Sequence, residues 1–296
     1  MKIRIVAIST ICLLAAACSQ QGERRQSTDP DYKGIELSAE VGTRKIFYRF
    51  PAPNDIINYI KTERLIYLKD FLNPVSHSDK YFDTRILNFN LGVYSADFAY
   101  ITVFKTLSEA SEYFRIIEKI AYQTGLSSIF DENMRRRVEA NEANIDSLST
   151  IARDSYTDMV QHLTAIGSEE QLSIISAGGY VEVLYLALNQ TDDIEKDYQL
   201  LRKIYDQRFG LENLILFMNE FTNDPWINSL HEDLNAILNQ LRMIEEKTDG
   251  ESKTRRTGSG AFSITGGRTT ITISSENYQM LKQTVANIRQ KYTTPQ

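Results

Sequence analysis

The stretch ILNFNLGVYSADFAYITVF, Ile86 to Phe104, is apolar on every side of a helix and carries a single charge, Asp97. A helix that shows no polar face belongs at the centre of a bundle, not on its surface. A second stretch of the same kind, LSIISAGGYVEVLYLAL, runs from Leu172 to Leu188, and its one charge is Glu182. Two such helices predict a mainly α protein in which they contact each other or share a neighbour, with both carboxyls buried. Burying an unpaired carboxylate is costly, so each must be hydrogen-bonded, ion-paired or protonated. Tyrosine hydroxyls, Arg85, Lys105 and backbone donors are the candidate partners. Gly178 and Gly179 are locally costly in a helix, and close helix contact is their natural meaning.

Outward from this pair, the chain reads as an antiparallel multi-helix bundle. Asn54 can cap a helix after Pro51 and Pro53, and Thr106 with Glu109 has capping-box spacing ahead of a helix that Gly125 can end. From Asp131 to Ile166 the apolar positions Met134, Val138, Ile145, Leu148, Ala152, Met159, Leu163 and Ile166 form a narrow stripe. That predicts one long amphipathic helix or two nearly collinear ones. Gly167 and Ser168 then separate two helices, with Gln171 completing a capping box. A further helix is expected from about Asp193 to Arg208 before Gly210, and another from Asp224 and Pro225 through Leu230, Leu234, Ile237 and Leu241. The state of Ile35 to Phe50 is open.

Residues Thr248 to Gly260 read as a polar, mobile loop, followed by a small C-terminal β-hairpin in which Ala261 to Thr265 and Arg268 to Ser274 flank Gly266 and Gly267. Tyr278, Leu281, Val285, Ile288 and Tyr292 give a final helix its apolar side. A lone hairpin is marginal in water, so it must pack on the helices, another strand or a partner; its polar alternation suggests a detachable or partner-facing element. The organisation expected is therefore 1–17 signal, 18–34 tether, 35–247 helical domain and 248–296 loop, hairpin and last helix.

The amino terminus carries the address. Lys2 and Arg4, the apolar run Ile5 to Leu14 and the small residues Ala15 to Ala17 make an export signal. Cys18 directly after them resembles the acylated cysteine of a bacterial lipobox; cleavage at the A-x-A pattern of Ala15 and Ala17, leaving a free thiol, is the alternative. Since Cys12 lies within the signal, Cys18 is the only mature cysteine, and no intramolecular disulfide or separate thiol catalyst is available. Ser19 is not the aspartate that retains lipoproteins in the inner membrane, so an outer-membrane lipoprotein facing the periplasm or cell surface is expected.

The charge of −6 gives no footprint for nucleic acid, and the short basic runs Arg135 to Arg137 and Lys253 to Arg256 read as solvated surface. His77, His162 and His231 share no metal-binding spacing, and no nucleophile elbow, phosphate loop or dinucleotide motif occurs, so neither metal nor cofactor is expected. Candidate ligand-facing residues are Asp97, Glu182, Tyr94, Tyr100, Tyr180 and Tyr185, with Cys18 for lipidation. No catalytic residue is assigned; acid and base work by Asp97 and Glu182 would need facing carboxyls at a defined separation. The favoured function is a membrane-tethered, non-enzymatic binding or assembly protein engaging an envelope protein or small ligand. A helical-repeat scaffold and an envelope hydrolase are the alternatives.

Five segments together resemble an uncharacterised family of exported helical proteins of Bacteroidota: FPAP at 50–53, FLNP at 71–74, LNFNLGVYSADFAY at 87–100, NEANIDSLS at 141–149 and AGGYVEVLYLA at 177–187. The resemblance implies a helical exported protein and brings no catalytic residues. Tyr180 stands where that family usually has tryptophan.

Overall fold

The computed structural model describes residues 35–41, 44–50, 66–104, 107–141, 144–249, 253–256, 262–265 and 268–295. It is a mainly α, antiparallel multi-helix bundle. The helices are α1 (Thr84–Phe104), α2 (Leu107–Gln123), α3 (Glu132–Ala140), α4 (Ile145–Ala165), α5 (Glu169–Leu188), α6 (Tyr198–Met218), α7 (Pro225–Leu241) and α8 (Ser275–Thr293). Lys105, Thr106, Cys18, Asn54 and the signal and tether readings lie outside the described residues.

Helix starts follow local chemistry. The side chains of Asp131, Asn144, Asp197, Asp224 and Ser274 each accept a backbone N–H of the following turn, a contribution of about 1 kcal/mol apiece. Gly125 and Gly167 end α2 and α4 in the left-handed region, at φ 82° and 70°. Ser168 makes no side-chain cap, however, and Gln171 reaches instead to Asn88 Oδ1 and the Thr124 carbonyl at 3.0 and 2.9 Å. Gly210 does not stop α6, which runs on to Met218 with Gly210 buried. The ~1 kcal/mol cost of a helical glycine is outweighed by the burial of Leu211, Leu214 and Ile215 beyond it. The stripe from Asp131 to Ile166 resolves into the separate helices α3 and α4, and its last member, Ile166, is exposed.

The centre is the packing of α1 on α5. Contacts progress in the same direction along both, from Asn88 with Gln171, through Gly92 with Gly179, to Tyr100 with Gln190. The two therefore run parallel, as an up-and-down chain allows for its first and fifth helices. Their backbones touch where side chains are missing: a Cβ on Gly92 would sit 2.0 Å from the Ile175 carbonyl oxygen, and one on Gly178 1.9 Å from that of Phe89. This close approach wraps α2, α4, α6 and α8 around the pair. By length and composition α5 would suffice to cross a membrane, but it lies buried inside the bundle.

The strands flank this core. β1 (Ile35–Val41) and β2 (Arg44–Phe50) form an antiparallel pair, Ile35 opposite Phe50, and β2 lies against α6. At the carboxyl side, β3 (Glu245–Asp249) pairs with β6 (Arg268–Thr272), and β4 (Lys253–Arg256) with β5 (Phe262–Thr265). The strands on either side of Gly266 and Gly267 therefore pair with β4 and β3 and not with each other, and part of the expected loop is strand. The two ladders differ by one residue in offset, since Glu245 faces Thr272 while Lys253 faces Thr265.

The carboxyl end is also not detachable. Tyr198 and Tyr205 of α6 donate to the Thr269 carbonyl and to Glu246, at 3.2 and 2.7 Å, and Ile271 and Ile273 are buried. Tyr278, Leu281, Val285, Ile288 and Tyr292 of α8 all enter the common core. The last carbonyls of α8, which have no intrahelical donor, accept from Asn90 Nδ2, Tyr81 Oη and His77 Nδ1.

The glycine crossing yields a paired test. Gly178→Ala should destabilise by 1–3 kcal/mol or more, because rigid backbone occupies the methyl position. Gly179→Ala meets only an ordinary contact, 3.4 Å to Gly92 O, and gains helix propensity, so its stability should stay within about 1 kcal/mol of the parent. Urea unfolding of both variants reads the difference, and equal losses would contradict the crossing.

Candidate functional site

Five residues past Gly92 and four past Gly178, the parallel helices bring Asp97 and Glu182 into one interior, each with 0% exposure. Arg289 enters from α8. Its Nε and Nη2 grip both oxygens of Glu182, the second at 2.8 Å, with the arginine side chain only 12% exposed. This bidentate fork is the strong form of an ion pair. Nη2 also donates to the Phe71 carbonyl at 3.0 Å, and the guanidinium lies 4.3 Å from the centre of the Tyr185 ring.

The segment Phe71 to Pro74 is locked over this pair by Asn73, which is wholly buried. Its backbone N–H donates to Asp97 Oδ2 at 3.1 Å, and its Nδ2 donates to Tyr81 Oη and Asn90 Oδ1, both at 3.2 Å. Its carbonyl accepts from Tyr113 at 2.9 Å, while Tyr94 donates to the Pro74 carbonyl at 2.9 Å. A loop followed by proline cannot satisfy its backbone groups within a helix, so buried side chains of α1 and α2 do it.

Two carboxyls share one guanidinium, so one carboxyl must be neutral for the interior to avoid a bare charge. Asp97 is that one. Burial first, then the negative charge of Glu182, hold its carboxyl well above the usual range, against the pull of Arg289. Its Oδ1 accepts no hydrogen bond among the described residues; protonated, it becomes a donor, and Glu182 is the carboxylate within reach. For Arg289, burial opposes the charge, but the Glu182 carboxylate outweighs it and raises the pKa. Burial likewise pushes Tyr81 up to about 12 and raises Tyr94, Tyr100 and Tyr185, so these hydroxyls stay neutral.

Of the residues singled out from sequence, the structure gathers Asp97, Glu182, Tyr94 and Tyr185 around the Phe71 to Pro74 segment. Tyr100 lies farther along α1, where its hydroxyl donates to the Ile66 carbonyl and accepts from Leu68 N and Gln190. Tyr180 points elsewhere, toward the Gln207 carbonyl of α6 at 3.3 Å. Arg85 is not a partner of either carboxyl, since it pairs with Asp224. Sequence reasoning missed Arg289, Asn73, Tyr81, Asn90 and Tyr113. Arg289 had a signal: it follows Val285 by four residues, placing a cation beside the apolar stripe of α8.

Chemically this arrangement closes a core. Glu182 is saturated by arginine, Asp97 accepts a backbone amide, and both side chains are fully buried, so neither has surface a substrate could touch. The larger described cavities lie elsewhere, beside α3 and α4. Among the described residues, no cluster of three or more His, Cys, Asp or Glu side chains is placed to hold a metal ion. No protein-family model, curated protein or solved structure matches the chain.

The raised pKa of the buried Asp97 fixes a pH dependence. A carboxyl whose folded pKa exceeds its unfolded value of about 3.9 binds its proton more tightly when folded, so its contribution is complete below that value and lost as pH rises toward the folded pKa. Asp97→Asn keeps shape, acceptor and donor without a titrating proton. Stability of the parent relative to this variant should fall by up to about 1.4 kcal/mol per pH unit above pH ~4. Denaturant midpoints from pH 4 to 8 measure it, and parallel profiles would exclude a neutral Asp97. Arg289→Met, which strands Glu182, should cost about 3–5 kcal/mol at neutral pH.

Proposed function

We propose that the protein is a lipid-anchored, non-enzymatic binding or assembly protein of the cell envelope, held to the outer membrane through Cys18. The observation that carries the non-enzymatic reading is the occlusion of Asp97 and Glu182. Glycosidase-type chemistry requires two carboxyls that both reach a substrate, whereas here one is clamped by Arg289 and the other faces Asn73. An envelope hydrolase would have to unpack α8 to expose them.

A helical-repeat scaffold fits less well. In a solenoid each repeat packs on its sequence neighbours, but α1 packs most extensively on α5, and α8 returns to close on both. The buried tyrosines belong to this closed interior, so ligand contact falls to the surface of the bundle. The tether rests on the sequence signal at 1–17, Cys18 and the polar stretch after it, and is in keeping with the likeness to exported helical proteins.

Cys18→Ala should move the protein from the membrane to the soluble fraction of fractionated cells and abolish incorporation of labelled palmitate. A variant that stays membrane-bound and labelled would overturn the anchor.

A further inference from the structure

Residues 69–81 cross the cluster of Asp97, Glu182 and Arg289 as a strap built on two 3-10 turns, Lys69–Phe71 and Val75–Lys80. Within it only Leu72, Asn73, Ser78 and Tyr81 are buried, so polar bonds from the bundle supply much of its attachment. Tyr113 and Tyr94 donate to the Asn73 and Pro74 carbonyls, Arg289 donates to that of Phe71, and Asp97 accepts the Asn73 N–H. In return, Tyr81 and His77 meet the Thr293 carbonyl in the last turn of α8, at 2.6 and 3.1 Å. Strap and helix end brace each other. Segments with few buried apolar groups, and the last turns of helices, open locally at lower cost than core helices do.

Beneath this cover Asp97 and Glu182 are fully buried, and the guanidinium of Arg289 is engaged by both oxygens of Glu182. An ionised Asp97 would be a second negative charge in the same dry space, with the Asn73 N–H as donor to Oδ2 and no partner for Oδ1 among the described residues. Burial, then the charge of Glu182, accordingly hold the proton on Asp97 while the strap is shut. Opening admits water and removes the larger of these causes. Tyr94 and Tyr100 of its own helix, Tyr113 of α2, Tyr185 and Glu182 of α5, and Arg289 of α8 act on Asp97. Burial holds the four tyrosines above their ordinary range, and Arg289 stays charged beside Glu182 in spite of burial. The strap's outer ion pairs, Lys69 with Glu109 and Asp79 with Lys119, strengthen as their carboxylates ionise and so oppose any opening at higher pH.

We propose that the strap is a pH-sensitive closure, in which the proton on Asp97 keeps residues 71–81 and the last turn of α8 shut, and its loss lets them open together as a minor, hydrated population while the rest of the bundle stays folded. A carboxyl that binds its proton more tightly in the closed form favours closure fully below its open-state pKa of about 4. That preference is lost as pH rises toward the closed-state value, so opening grows with pH. The coupling is local because the groups that close the strap, Asn73, Tyr81, His77 and Arg289, bond to one another's segments or to Asp97 itself. The α1 and α5 crossing at Gly92 and Gly178 is backbone on backbone and takes no part in it.

Hydrogen exchange of the full chain in detergent, read by mass spectrometry from pH 5 to 8 and corrected for the intrinsic rate, tests it. Protection over residues 69–81 and 286–295 should fall by up to tenfold per pH unit until the closed-state pKa is reached, while residues 88–96 and 174–182 keep theirs. Asp97→Asn should flatten this slope. His77→Gln, which removes the imidazole from the strap, should leave the slope in place. Tyr113→Phe, which deletes one strap bond and no titrating carboxyl, should lower strap protection about fivefold at every pH and preserve the slope, so the test survives if Asp97→Asn does not fold. Protection of the strap independent of pH in the parent, an unchanged slope in Asp97→Asn, a slope abolished by His77→Gln, or equal loss at the α1 and α5 crossing would each overturn the proposal.

Discussion

The contact of bare backbone at Gly92 and Gly178 governs the architecture. Helices separated by ordinary side chains stand about 8–10 Å apart, but here the carbonyl of Ile175 occupies the space a β-carbon of Gly92 would need. The glycines give up helix propensity, and in exchange two apolar helices meet along much of their length. That approach sets the distance between Asp97 and Glu182 and leaves room on the outside for α2, α4, α6 and α8.

A pair of carboxyls forced together in a dry interior is an electrostatic problem, and the carboxyl-terminal helix solves it. Arg289 neutralises Glu182, and Asp97 keeps its proton. The same arginine reaches the Phe71 carbonyl, while Asn90 and Tyr81 hold the last carbonyls of α8. Segments more than 200 residues apart in sequence are thereby joined through buried polar groups. Such a network rigidifies the core when it is complete and destabilises it when broken. α8 therefore acts as the closing element of the bundle.

That division of labour shapes the functional reading. The most charged interior is closed by its own partners and offers no surface to a ligand.

The sequence by itself determined that Ile86 to Phe104 and Leu172 to Leu188 are central helices, that Asp97 and Glu182 are buried, that Gly178 marks close contact and that Tyr278 to Tyr292 form a core-facing helix. All of these follow from local periodicity and from the cost of polar or flexible residues in apolar surroundings. Only tertiary structure decided that Arg289, 107 positions from Glu182, is its partner, that Asn73 secures the loop over Asp97, that α6 continues through Gly210 and that β5 and β6 pair with β4 and β3 and not with each other. Each of those outcomes depends on which distant surface supplies burial, a charge or a strand partner. A local pattern states that a group must be satisfied, while the packing of the whole chain selects what satisfies it.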